Sequence, residues 1–207
     1  VIGGSFGGMQ VLEFAVQAGI GPSPLVQSII PIACGKSHTA WQIAISELQR
    51  QAIAKDPNWN SSPENVTAGL EIARQIGMVS YRTPTGYRRK FDRHTHNGIP
   101  FGDSASWHVK SYLEYQGQKF LSRFDAITYY KLTQQMDSHD VNRGRDADIL
   151  SRVQIPALIM GIDSDVLYPL EEQRELYELL PNSTLKIIVS DDGHDGFLLE
   201  QEQVGGY

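Results

Sequence analysis

The stretch Gly3-Gly4-Ser5-Phe6-Gly7 constrains the fold more than any other part of the chain. Val1-Ile2 ahead of it reads as a strand. Behind it, Met9, Leu12, Ala15 and Ala18 recur at helical spacing. A strand that turns sharply into a helix calls for glycine on both sides of the turn, where the two backbones pass too close for side chains. The residue at the apex takes a strained conformation, and its side chain stands clear of the sheet. Ser5 occupies the apex, so its hydroxyl is a candidate nucleophile. The N–H of Phe6, at the positive end of the helix, is then the candidate donor to a developing oxyanion. A Gly-rich turn of this kind also suits a phosphate, or no chemistry at all, so the motif needs partners elsewhere.

The rest of the chain divides into three stretches. Gly19 and Gly21-Pro22 end the first helix, and the apolar run 25–33 predicts a buried parallel strand. The pattern then turns helical. Residues 38–54 form a helix with Trp41, Ile45, Leu48 and Ala52 as its apolar stripe, and Pro57 stops it. A second helix spans 63–81, with Leu70, Ala73, Ile76, Gly77 and Val79 facing inward. A loop covers 94–106, and helix spans 107–136 with a break near Gly117. Strand–helix alternation returns with a strand at 155–162, a helix at 170–180, a strand at 185–190 and a helix from 196 to 204. Short links between these elements imply right-handed crossovers and a parallel sheet. The expected organisation is an α/β core over 1–35 and 149–207, interrupted by a helical insertion over 36–148.

A serine nucleophile needs a base and a carboxylate that orients it. Two loops at the C-terminal ends of later parallel strands supply them, where ligands bind in open α/β sheets. One is Asp163-Ser164-Asp165; the other is Asp191-Asp192-Gly193-His194-Asp195. His194 is the expected general base. Asp165 is the expected orienting acid, with Asp163 as its competitor. Ser5, Asp165 and His194 thus stand in the chain order nucleophile, acid, base.

Other features are assigned to structure. Asp137-Ser138-His139-Asp140 has no second His or Cys cluster at ligand spacing and reads as a polar turn, so no metal is expected. His94 and His96 fall in a solvated loop, Arg88-Arg89-Lys90 on a charged helix face, and Cys34 and the tryptophans in packing positions. The net charge of −6 gives no basic patch for nucleic acid or an anionic membrane. No apolar run approaches the roughly 18 residues of a membrane span. One cysteine excludes an internal disulfide, and a reducing, cytoplasmic setting is expected. Val1 reads as the end of a strand already under way.

Taken together, these segments resemble the homoserine O-acetyltransferase family of α/β-hydrolase-fold enzymes. The resemblance rests on the Gly3-Gly-Ser-Phe-Gly-Gly-Met-Gln10 segment, on Asp56-Pro-Asn-Trp59 and on Gly69-Leu-Glu-Ile-Ala-Arg74. It continues through Ser111-Tyr-Leu-Glu-Tyr-Gln-Gly117, Asp137-Ser-His-Asp-Val-Asn-Arg-Gly-Arg145, Ser164-Asp-Val-Leu-Tyr-Pro169 and Gly193-His-Asp-Gly-Phe-Leu198. It implies an α/β-hydrolase fold, a mostly parallel sheet with a helical lid, whose first strands lie outside this chain. It implies ping-pong transfer of acetyl from acetyl-CoA, a co-substrate and not a resident cofactor, to L-homoserine for methionine synthesis. It also implies that Arg74 and Tyr81 hold the acceptor carboxylate, that Asp195 takes its ammonium, and that a homodimer forms through the lid. Serine as acceptor, a succinyl donor, or plain ester hydrolysis on the same triad remain open. The loop expected to give the second oxyanion donor precedes Val1. The chain expressed alone is therefore expected to be unstable and nearly inactive.

Overall fold

The computed structural model describes residues 1–102 and 106–207. Positions 103–105, part of the loop expected over 94–106, lie outside the described residues. The described chain falls into two units, residues 1–39 with 138–207, and residues 40–137.

The first unit is built on four parallel strands in the order β1-β2-β3-β4: β1 Ile2–Gly4, β2 Ile30–Ile32, β3 Ala157–Ile162 and β4 Ser183–Ile188. β1 pairs with β2 from Ile2↔Ile30 to Gly4↔Ile32. β3 pairs with β4 over six positions, from Ala157↔Ser183 to Ile162↔Ile188. β3 is apolar without alternation because both of its faces are covered, and Ile159 and Ile162 have no exposed surface. Ile32, Ala33, Met160, Ile162 and Ile188 form one buried cluster, with Phe197 and Val204 packed against it. Helix α1 (Phe6–Ala18) buries Met9, Leu12 and Ala15. The strand expected over 25–33 shrinks to three residues. Leu25 is 87% exposed, and Pro24 and Pro31 have no N–H to give a ladder.

The second unit contains α2 (Ala40–Ala54), α3 (Ala68–Ser80), α4 (Pro84–Phe91), α5 (His108–Leu121) and α6 (Ala126–Asp137). Ile53, Val66, Leu70, Ala73, Phe120, Ala126 and Tyr129 form its core. Asp56 ties the two ends of the α2–α3 link together. Its Oδ2 accepts the Gly69 N–H at 2.9 Å and its Oδ1 the Asn58 N–H at 3.0 Å. These bonds hold its carboxyl below the ordinary carboxylate value.

Three expectations about this unit need correction. First, α2 turns Gln42, Ser46, Gln49, Arg50 and Ile53 inward, while Trp41 and Leu48 are each 52% exposed. Gln49 and Arg50 have partners that offset the cost of their burial, although among the described residues Nη1 of Arg50 is left without one. Gln49 Oε1 accepts the Tyr129 hydroxyl at 3.1 Å, and Arg50 pairs with Asp137 at 2.6 Å. Second, Val79 is half exposed, and its neighbours Met78 and Ser80 are buried instead. Third, α5 runs unbroken through Gly117. That glycine serves close helix packing: a Cβ there would lie 3.0 Å from Glu71 Cγ and Glu71 O on α3. The break comes after Ser122, and Asp125 starts α6 by accepting the Thr128 N–H at 2.8 Å. Among the described residues, no helix is long and apolar enough to cross a membrane.

Returning to the first unit, helix α7 (Leu170–Leu179) follows β3. The helix expected over 196–204 is two pieces, α8 (Gly196–Leu199) and α9 (Gln201–Gly206). The interruption at Glu200 lets the Gln203 side chain pair with both backbone groups of Val189, at 3.0 and 2.9 Å.

Candidate active site

Ser5 sits between β1 and α1 with φ 56° and ψ −123°, a left-handed conformation that costs a non-glycine residue about 1–3 kcal/mol. The surrounding ladder imposes it. Ser5 N donates to Ile32 O at 2.9 Å on one side, and Ser5 O accepts the Met9 N–H at 3.2 Å on the other. Ser5 occupies the N-cap position of α1 yet makes no capping bond with its side chain. Its Oγ is engaged elsewhere, 2.7 Å from His194 Nε2.

The crowding at the turn is less symmetric than the sequence suggested. A Cβ on Gly3 would lie 2.5 Å from Gly7 O, whereas a Cβ on Gly7 would meet nothing within 4 Å. The strand and helix therefore require Gly3, and Gly8, whose Cβ would lie 2.6 Å from Cys34 Sγ. Gly3→Ala is expected to destabilise the full-length protein by about 1–3 kcal/mol. Gly7→Ala is expected to stay within about 0.5 kcal/mol of wild type. Urea unfolding of both variants checks the contrast.

His194 belongs to a single 3-10 turn, Gly193–Asp195, that follows β4. Its Nδ1 lies 2.7 Å from Asp165 Oδ2. The Asp165 side chain is fully buried, and that of His194 is 5% exposed. Asp165 Oδ1 accepts the N–H groups of Leu167 and Tyr168 at 2.8 and 2.9 Å, which fixes the carboxylate so that Oδ2 faces the imidazole. Asp163 does other work: its Oδ1 accepts the Ser190 N–H at 3.0 Å. The geometry thus separates two acids that the sequence left in competition. Ser164 links the same two loops, donating its hydroxyl to Ser190 O and accepting the Gly193 N–H at 3.1 Å.

The tautomer follows from these contacts. A carboxylate only accepts, so Nδ1 of His194 carries the proton and Nε2 is left to accept the Ser5 hydroxyl. The Phe6 N–H belongs to the first turn of α1, where amides have no intrahelical acceptor. The helix dipole adds positive potential at the same point. Aromatic rings flank the imidazole. Tyr168 lies 5.1 Å away, centroid to centroid, and Phe197 lies 5.7 Å away. Gly4 makes room for Phe197, since a Cβ there would fall 2.5 Å from its ring. Asp195 directly follows His194 and is partly buried.

In the helical unit, Arg74 and Tyr81 come together. The Arg74 guanidinium carbon lies 4.7 Å from the Phe120 ring centroid and 5.7 Å from that of Tyr81. Tyr81 caps the end of α3. Burial pushes the neighbouring Tyr129 phenol well above its ordinary value, with the charge of Tyr81 adding to it. A guanidinium over an aromatic face at these distances is attracted by the ring's negative face. Among the described residues, Arg74 makes ring contacts but no ion pair with an acid.

Several participants were missed in the sequence. Phe120 stands 46 positions from Arg74, and Tyr168 is linked to His38 across 130; no local spacing signals either. The polar turn expected at Asp137–Asp140 is structural: His139 is buried, contacts Gly35 O at 3.0 Å, and burial lowers its basicity. Among the described residues, no group of three or more His, Cys, Asp or Glu side chains could hold a metal ion. Cys34 is buried, and that burial pushes its thiol far up, away from the thiolate form.

Residues 1–201 match the protein family described as alpha/beta hydrolase fold. The chain is 48% identical over 205 residues to homoserine O-acetyltransferase from Salinibacter ruber, covering 96% of this chain and 57% of that protein. It is 45% identical over 208 residues to the enzyme of the same name from Chloroherpeton thalassium, covering 98% and 52%. The crystal structure of homoserine O-acetyltransferase from Staphylococcus aureus superposes with a TM-score of 0.74 at 31% identity, over 98% of this chain and 54% of that one. The chain therefore spans about half the length of the curated relatives it matches. Esterase E22 shares the fold, with a TM-score of 0.84 at 19% identity, over 99% of this chain and 59% of that one.

Proposed function

Because the chain belongs to the alpha/beta-hydrolase-fold family, we propose that Ser5 is the nucleophile of an acyltransferase carrying acetyl from acetyl-CoA to the hydroxyl of L-homoserine, a step toward methionine. The observation that carries this reading is the unbroken hydrogen-bonded chain Ser5–His194–Asp165, with both links at 2.7 Å. The identity to curated homoserine O-acetyltransferases supports the choice of donor and acceptor.

In the first half-reaction, Ser5 Oγ attacks the thioester carbon and its proton passes to His194 Nε2. The carbonyl oxygen becomes an oxyanion that accepts the Phe6 N–H. Collapse breaks the C–S bond, and the CoA sulfur leaves with the proton held by His194. In the second half, the homoserine hydroxyl gives its proton to His194 and attacks the acetyl-serine. Collapse then releases O-acetylhomoserine, and Ser5 recovers its proton. Asp165 stabilises the imidazolium in both halves. No metal or resident cofactor takes part in this scheme.

The acceptor is held by charge. Arg74, with Tyr81, takes its carboxylate, and Asp195 takes its ammonium. Hydrolysis on the same triad is the rival reading, and it gives Arg74 no role, since water needs no such grip. The lid function and the homodimer contact fall to the helical unit, where Trp41, Leu48, Ile72 and Val79 leave about half their surface exposed. A reducing, cytoplasmic setting suits a protein with one buried, free thiol.

Arg74→Ala in the full-length protein tests the reading. The KM for homoserine should rise about 10- to 100-fold, the loss of a hydrogen bond to a charged group. The KM for acetyl-CoA should stay within about twofold. Equal rises for donor and acceptor, or acetate as the sole product, would overturn it.

A further inference from the structure

The triad explains what meets the two nitrogens of His194 but not what holds its ring face. That face lies against Tyr168, with centroids 5.1 Å apart and planes 31° from parallel. Tyr168 is 2% exposed. Its hydroxyl shares a hydrogen bond of 3.0 Å with Nε2 of His38, itself 8% exposed. His38 is fixed in turn, because its N–H donates to His139 O at 2.9 Å in a segment that also pairs Ser37 with Asp140. The backbone of Tyr168 contributes as well, since its N–H donates to Asp165 Oδ1 at 2.9 Å. One residue thus touches the base through its ring and the acid through its amide, while a buried histidine holds it from behind.

Two physical consequences follow. A packed ring restricts rotation of the imidazole about χ2, the torsion that would carry Nε2 away from Ser5 and Nδ1 away from Asp165. An aromatic face also favours the imidazolium that forms when His194 takes the Ser5 proton. Both effects appear in the chemical step and not in substrate affinity. The anchor matters because a buried phenol with no partner would be costly, and the ring would shift to find one.

We propose that Tyr168, anchored by His38, is a positioning residue for the general base. It holds the His194 imidazole in the plane that serves Ser5 and Asp165 together. The inference rests on the proposed role of that triad in acyl transfer, and it adds a pair of residues that the triad itself does not require.

The test uses the full-length protein and three substitutions. Tyr168→Leu keeps apolar bulk but loses the aromatic face. It should lower kcat by about tenfold or more, with the KM for acetyl-CoA and for homoserine within about twofold of wild type. Tyr168→Phe keeps the face and should restore kcat to within about threefold. His38→Leu should lower kcat in the wild-type background and add nothing in the Tyr168→Phe background, where no hydroxyl remains to be held. A readout independent of activity is the low-field proton resonance of the His194–Asp165 hydrogen bond. It should persist in Tyr168→Phe, and it should broaden or be lost in Tyr168→Leu while far-ultraviolet circular dichroism stays native. Wild-type kcat in Tyr168→Leu, losses of equal size in Tyr168→Leu and Tyr168→Phe, additive effects of His38→Leu and Tyr168→Phe, or an unchanged resonance in Tyr168→Leu would each overturn the inference. If the wild-type protein forms no acetyl-enzyme, the functional reading falls instead, and the resonance still reports on the imidazole.

Discussion

Ser5→Ala is expected to lower kcat by about 10⁵- to 10⁶-fold, and to leave the fold intact. The change removes the hydroxyl that is proposed to carry the acyl group, and its hydrogen bond to His194 Nε2 is lost with it. Alanine at φ 56° is somewhat more strained than serine, so a modest loss of stability accompanies the change. That loss shows in unfolding curves and not in turnover of the folded fraction. Residual rates reflect binding and the oxyanion donor alone. Steady-state kinetics and mass spectrometry of the acetyl-CoA-treated protein check both parts.

Asp165→Asn is expected to cost about 10⁴-fold in kcat with the geometry nearly unchanged. The reason lies in the two backbone N–H groups on Oδ1. They demand an acceptor there, so the amide oxygen of asparagine takes that position. The NH₂ group then faces His194 Nδ1, which must accept. The imidazole proton moves to Nε2, toward Ser5, and the base cannot take the serine proton. A circular dichroism spectrum matching wild type beside the lost activity separates this tautomer effect from misfolding. Asp163→Asn should have a far smaller effect on kcat, because Asp163 accepts the Ser190 N–H while the imidazole pairs with Asp165.

The legible parts of the fold were those that local sequence encodes. The turn at Gly3–Gly8 has a shape only glycine permits at its close approach, and β3 announces its burial on both faces by unbroken apolar residues. The loops bearing Asp165 and His194 follow from their place at strand ends. What stayed illegible depends on partners far along the chain. Asp163 and Asp165 are two residues apart in one loop, and only the positions of Ser190, Leu167 and Tyr168 decide which carboxylate turns to the histidine. α2 carries two helical stripes, one apolar and one polar. The polar one turns inward because Tyr129 and Asp137 satisfy it. Gly117 looks like a break in one dimension, while its purpose is to let α5 approach Glu71 on α3. Prolines 24 and 31 do signal the shortened β2, but the apolar run around them is the louder signal.

The central claim is that Ser5 carries an acetyl group between two substrates. The direct measurement mixes full-length protein with acetyl-CoA in the absence of acceptor, quenches, and reads the peptide containing Ser5 by mass spectrometry. Homoserine is then added to a second sample and the released product is identified. The account predicts one acetyl group on Ser5, discharged by homoserine into O-acetylhomoserine faster than water discharges it into acetate. An acetyl group on another residue, no adduct beside normal turnover, or discharge that homoserine does not accelerate would contradict it.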